Sequence, residues 1–231
     1  MKRTMLTAFS LLSLLACPEI SQANQLTNGG FESPDVSLLS PPFAFDVGVA
    51  FPANFITGWT VTQGTVDLTG TCCVPAHSGT QAVDLVGAGF GNGAIVQSFS
   101  TVINQKYSLS FWYTHNYGAF AASFAADAIV TDASGTLLTT SVTHTLASSG
   151  ANPNWTLSTS EFTALSATTT LTFRNTAGAF NGGIYLDDVS IDPVNAAVPI
   201  PGALPLFISG VGAIAFLAQR RKQKFNDTRS A

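Results

Sequence analysis

The nine residues "KYSLSFWYT", Lys106 to Thr114, constrain the fold more than any other stretch of the chain. Tyr107, Leu109, Phe111 and Tyr113 fall on one face of an extended backbone, and Lys106, Ser108, Ser110 and Trp112 fall on the other. This is the period of two of a β-strand with one buried face; a helix would scatter the apolar residues around its axis. The same alternation, rich in Val, Thr, Phe and Tyr, recurs in 58–70, 81–87, 94–101, 125–145, 154–164, 168–176 and 182–192. Gly, Asn, Asp and Pro separate these segments, and no helical period intervenes. Eight or more short strands between residues 24 and 192 predict an all-β fold, a jelly-roll β-sandwich. "DASG" at 132–135 predicts a hairpin turn with Gly135 supplying positive φ. Residues 34–56, interrupted by Pro41, Pro42 and Pro52, predict a long loop with an edge strand.

Charge divides the chain into three parts. Residues 1–23 carry net +1, residues 24–198 net −9 and residues 199–231 net +4. The middle part has only Lys106 and Arg174 against eleven acids, so it cannot neutralise a phosphate backbone, and nucleic acid is excluded as a partner. An acidic surface suits solubility or a divalent cation.

The first part reads as a secretory signal peptide, residues 1–23. Lys2 and Arg3 precede the apolar stretch 4–16, and "SQA" at 21–23 places small residues for cleavage before Asn24. A rival site is "LLAC" at 14–17, a lipoprotein-like box ending at Cys17, with Leu15 and Pro18 fitting it poorly. Cleavage after Ala23 leaves only Cys72 and Cys73. Two adjacent cysteines make neither a disulfide framework nor a zinc site. They are a vicinal disulfide, a bridge between two molecules, or two thiols in a loop.

The last part combines a proline-containing linker, residues 193–202, with an apolar run and a basic end. Ala203 to Ala218 are sixteen residues of which only Ser209 is clearly polar. As a helix they would span roughly 24 Å, against a hydrocarbon core of ~30 Å. Residues 203–219 are therefore expected to be a short transmembrane helix. Arg220, Arg221 and Lys222 would hold the tail 220–231 in the cytoplasm and leave the sandwich outside. A soluble helix fits poorly, since no polar face exists to meet water.

The succession of signal peptide, β-domain, proline turn, short span and basic cluster resembles the PEP-CTERM class of sorting signals, in its VPLPA variant. Val198, Pro199, Ile200, Pro201, Gly202 and Ala203 carry the resemblance, continued by Arg220, Arg221 and Lys222. It implies recognition by an exosortase-like sorting protease in the inner membrane of a Gram-negative bacterium. It further implies removal of the helix, with the mature domain at the cell surface or in the extracellular matrix. The body of the chain also resembles a family. "LTNGGFESP" at 26–34, "GWTV" at 58–61, "HSGTQAVDLVG" at 77–87, "YSLSFWY" at 107–113 and "LDDVSI" at 186–191 are similar to the choice-of-anchor C domain. That group belongs among galactose-binding-like jelly rolls, whose relatives include many carbohydrate-binding modules.

The resemblance implies a structural calcium where the first and last strands meet. Carried over by position, Glu32 and Asp187 would be side-chain ligands, and Asn28 and Gly30 would offer carbonyls, water completing the six to eight oxygens calcium takes. Asp187 and Asp188 are expected to alternate across the strand, so only Asp187 would point at the ion. For enzyme chemistry the residues offer little. His77, His115 and His144 are scattered, no Gly-x-Ser-x-Gly elbow exists, and nothing sets Glu32 and Glu161 across a cleft. A non-enzymatic role follows. A sugar site needs aromatic faces beside amides and carboxylates, and Trp112, Tyr113, His115 and Tyr117 are the expected contacts, Trp112 foremost because it opposes the apolar face of its strand. The expected partner is an exopolysaccharide or other glycan; a structural or adhesive biofilm matrix protein with no defined sugar is the alternative.

Overall fold

The computed structural model describes residues 24–194, apart from residues 71, 90, 120 and 122. The expected signal peptide, the span 203–219 and the sorting motif from Val198 to Lys222 lie outside the described residues. Among the described residues no helix is long and apolar enough to cross a membrane. Eleven strands run in the order β1 Phe43–Val47, β2 Thr60–Gln63, β3 Val66–Thr69, β4 Ala82–Asp84, β5 Ala94–Ser100, β6 Lys106–His115, β7 Phe124–Asp132, β8 Gly135–His144, β9 Thr156–Thr163, β10 Thr168–Ala177 and β11 Ile184–Pro193. They form two antiparallel sheets, one of six strands in the order β1-β3-β4-β11-β6-β9 and one of five in the order β2-β5-β10-β7-β8.

Each segment with period-two alternation becomes a strand. In β6, Tyr107, Leu109 and Phe111 are buried between the sheets while Trp112 points outward. In β10, Leu171 and Phe173 face them from the other sheet, and Thr168, Thr170 and Thr172 face water. Four rings bridge the sandwich in sequence: Phe31 to Trp59 at 5.4 Å, Trp59 to Phe173 at 6.2 Å and Phe173 to Phe111 at 4.9 Å. Offset contacts of this kind add about 0.5–1.5 kcal/mol per pair to the burial of the rings themselves. Trp59 hangs its indole N–H on the carbonyl of Asn28 (3.1 Å), so the one polar atom of this buried side chain is satisfied.

The turns follow the sequence reading. Gly135 opens β8 at φ +122°, and Asp132 caps the turn by accepting the Ser134 N–H at 2.8 Å. The irregular segment 34–56 supplies a single 3-10 turn, Val36–Leu38, and the edge strand β1. The N-terminal segment runs beside β11. Gln25 N–H donates to Ile191 C=O (2.9 Å) and Val189 N–H to Gly29 C=O (2.9 Å). Gly29 is the close approach that permits this, since a Cβ there would lie 2.0 Å from the Val189 carbonyl oxygen.

Candidate functional site

The two outer faces differ in chemistry. On the five-stranded sheet every described aromatic side chain of the strands is buried, and the outward positions are mostly hydroxyls, with Val96 and Ile129 among them, beside an Arg174–Asp127 ion pair at 2.8 Å. On the six-stranded sheet, Trp112 stands outward and the segment between β3 and β4 crosses over the strands. Val74 of that segment is buried against Ala82 and Tyr185, with Ala76 and Trp155 packed beside them. The Trp155 indole N–H donates to Pro75 C=O (3.1 Å) and the Tyr117 hydroxyl to Cys73 C=O (3.2 Å). Cys72 and Cys73 are joined as a vicinal disulfide.

The end of this segment, His77 to Gln81, is held by carboxylates from both ends of the domain. Glu32 Oε1 accepts the N–H groups of Thr80 (2.8 Å) and Gln81 (3.0 Å), and Oε2 accepts the Thr80 hydroxyl (2.8 Å). Asp187 Oδ2 accepts the N–H groups of His77 (2.8 Å) and Ser78 (3.1 Å). Gln81 completes the junction, its side-chain amide donating to Phe31 C=O and Pro34 C=O and its oxygen accepting Val36 N–H. Gly79 lies at φ +61°, and a Cβ there would fall 2.2 Å from Glu32 Oε1, so glycine is required twice over.

The Asp187-Asp188 pair corrects the expected alternation. Asp188 sits at φ +48° where the β11–β6 register shifts, and this bulge turns both carboxylates to the same loop. Asp188 Oδ2 is 2.6 Å from His77 Nδ1, and Oδ1 accepts the Ser78 hydroxyl at 2.6 Å. His77 is thereby fixed flat on Trp112, ring centroids 3.9 Å apart and planes 15° apart, with the edge of Trp155 at 6.0 Å. Leu157 lies opposite Trp112 in register and is half exposed. The result is a strip of Trp155, His77, Trp112 and Leu157 with a carboxylate and a hydroxyl along one side. The side chains of His77 and Asp188 remain 29% and 30% exposed, enough for a ligand to reach them.

The other expected contacts lie elsewhere. Tyr113 and His115 share the inward face of β6. Tyr113 meets His144 edge-on at 5.8 Å, and His115 stacks on Phe124 at 4.3 Å. His144 Nε2 must donate to Asn154 C=O (2.9 Å), so its Nδ1 accepts from His115 Nδ1–H (2.7 Å). Burial pushes both imidazoles below the ordinary histidine range, the neighbouring His144 adding to the effect on His115. Tyr117 pins the crossing segment rather than joining the strip.

The residues expected around calcium do meet, joined by hydrogen bonds. Every oxygen of Glu32 and Asp187 already accepts an N–H or O–H, Asp187 Oδ1 taking the Asp188 N–H at 2.7 Å. The Asn28 carbonyl accepts from Trp59 and from Phe31 N–H. Gly30 abuts the Asp187 and Asp188 carboxylates. In this structure these oxygens serve main-chain amides and hydroxyls. Among the described residues no three His, Cys, Asp or Glu side chains converge as a metal site. Glu161, the other glutamate of the body, pairs with Lys106 at 2.9 Å.

Beside the site, Asp67 and Asp84 face each other across β3 and β4. Burial above all pushes Asp67 to about 7, with the Asp46 charge adding, and Asp84 to about 8, with the Asp67 charge adding. Asp187 is raised to about 7 by burial and then by Asp188.

Comparison with known proteins places this arrangement in a family. A family model, DUF642 (protein of unknown function), matches residues 24–192. The chain belongs to the DUF642 family. It is 29% identical over 201 residues to Halomucin of Haloquadratum walsbyi, a match covering 84% of this chain but only 2% of that protein's length. Among solved structures it is similar to TmCBM61 in complex with β-1,4-galactotriose, with a TM-score of 0.51 and 17% identity over 75% of this chain and all of that one. A Family 16 Carbohydrate Binding Module-2 matches with a TM-score of 0.44 and 18% identity over 73% of this chain and 99% of that one. At these identities the likeness to the first is one of fold alone, a jelly-roll β-sandwich.

The buried carboxyls give a pH dependence of fixed sign. Asp84 keeps its proton in the folded state up to about pH 8, while the unfolded chain releases it near its ordinary 3.8. Its contribution to stability is therefore full below pH 4 and falls as pH rises toward 8. Asp84→Asn should flatten that decline in urea unfolding measured from pH 4 to 8; parallel curves for the two proteins would contradict the assignment.

Proposed function

We propose that this DUF642 protein is a non-enzymatic polysaccharide-binding protein of the cell surface or extracellular matrix, and that the sugar lies along the strip of Trp155, His77 and Trp112. One observation carries the reading: an aromatic strip with a carboxylate beside it is built on the outer face of the six-stranded sheet, and among the described residues the strands of the other sheet turn no aromatic side chain outward. Sugar rings pack their C–H faces on such a surface while their hydroxyls reach Asp188 and Ser78. The fold shared with carbohydrate-binding modules supports the reading. The tail supports its location: the PEP-CTERM-like motif from Val198 to Ala203 and the basic cluster Arg220-Arg221-Lys222 would direct an exported precursor to an exosortase-like protease.

Two measurements test these parts. Native affinity electrophoresis against a panel of polysaccharides, the host's own included, should retard the wild-type protein. Trp112→Ala or Trp155→Ala should weaken binding about tenfold or more, the equivalent of about 1.4 kcal/mol, with circular dichroism unchanged. Retardation that survives both substitutions would overturn the site, and none on any polysaccharide would overturn the binding in favour of a purely structural matrix role. Mass spectrometry of the mature protein from its own cells should find Asn24 at the start and no residues beyond the proline motif. A chain still ending at Ala231 would overturn the sorting.

A further inference from the structure

Three apolar side chains stand in water at one end of the sandwich: Val102 is 67% exposed, Ile103 56% and Leu165 51%. Val102 and Ile103 occupy the turn between β5 and β6, closed by Gln105 N–H donating to Val102 C=O at 3.0 Å. Leu165 occupies the turn between β9 and β10. Backbone hydrogen bonds lace the two turns together: Asn104 N–H to Ala164 C=O (2.8 Å), Ala164 N–H to Gln105 C=O (3.0 Å) and Thr101 N–H to Ala167 C=O (3.0 Å). The three side chains therefore share one tip.

The described chain leaves the domain from that same tip. Val194 N–H donates to Lys106 C=O at 2.8 Å, and the Gln105 side-chain amide donates to Val194 C=O at 3.0 Å. Beyond Val194, eight residues, 195–202, precede the apolar run 203–218. Eight residues fully extended reach at most about 29 Å. If that run is inserted in a membrane, as the proposed function holds, the tip is tethered within that distance of the lipid surface. The tether raises the local concentration of the tip at the bilayer, so even a small apolar contact suffices.

We propose that the tip formed by Val102, Ile103 and Leu165 rests on the lipid bilayer while the run 203–218 is inserted; this rests on the tail reading above. The contact is apolar rather than electrostatic. The one lysine at this end, Lys106, is paired with Glu161, and the Asp132 carboxylate beside Leu165 accepts that residue's N–H at 3.0 Å. Three exposed apolar side chains on the tip from which the chain leaves toward an apolar run suit a surface that is covered in use.

The test uses the full chain in phosphatidylcholine vesicles, with and without bromine on the lipid acyl chains. An indole is added at the tip by Ile103→Trp or Leu165→Trp, and at the far end of β10 by Phe180→Trp, a position 78% exposed. Brominated lipid should quench the added emission at the tip about twofold, as for a side chain seated in the interface, and leave the Phe180→Trp increment unchanged, at low and high salt alike. Equal quenching at both ends, in chains that resist carbonate extraction, would overturn the tip contact alone. Chains released by carbonate would overturn the tail reading and the proposal with it.

Discussion

Two carboxylates from opposite ends of the domain, Glu32 and Asp187, hold the backbone of one short loop, and the candidate site depends on that grip. Between them they accept the N–H groups of His77, Ser78, Thr80 and Gln81. Hydrogen bonds to charged acceptors contribute about 1.5–3 kcal/mol each, less where water competes as it does at the exposed Glu32, and less where Asp187, raised to about 7 by burial, is in part protonated at neutral pH. Their more important effect is geometric. With the backbone fixed, the His77 ring has one place to go, between the Asp188 carboxylate and the face of Trp112. The segments "NGGFE", "HSGTQ" and "LDDVS" thus become three sides of a single junction. Gly29 and Gly79 are the points where backbone or carboxylate comes too close for a side chain.

The strands were legible because a half-buried sheet imposes a period of two over eight or ten residues, long enough to outweigh local exceptions. The same rule placed Trp112 outward. It also placed Tyr113 inward, and His115 has the same parity, so the strand pattern itself argues against both as sugar contacts; the structure puts them on His144 and Phe124. Alternation failed at Asp187 and Asp188 because a bulge needs only one residue at positive φ, and an aspartate there carries no mark that distinguishes it from its neighbour. His77 and Trp155 were invisible as partners of Trp112 for a different reason. They come from a loop and a strand entry far away in sequence, and nothing local encodes a contact made by the tertiary fold. The vicinal disulfide was one of several readings that adjacency alone left open.

The sandwich divides its tasks among separate surfaces. Its interior is an aromatic bridge between the sheets. One outer face is mostly hydroxyls with Val96 and Ile129 among them, and the other carries the aromatic strip beside a loop pinned by Trp155, Tyr117 and the junction carboxylates. The end from which the chain leaves carries Val102, Ile103 and Leu165 exposed, and the far end of β10 carries Phe180, with Leu146 beyond the end of β8. With only two bases in the body and a carboxylate beside the strip, the proposed recognition would fall to ring faces and hydroxyls, which suits a neutral polysaccharide better than a polyanion bound through cations.

The measurement that bears most directly on the junction is amide hydrogen exchange at His77, Ser78, Thr80 and Gln81, followed by NMR with calcium and with a chelator. The expected result is protection of all four amides at the same rates in both conditions. Glu32→Ala should release Thr80 and Gln81 while the amides of β6 keep their protection. Exchange at the rate of an unstructured peptide in the wild-type protein, or protection that vanishes with the chelator, would contradict the carboxylate grip and return Glu32 and Asp187 to a cation.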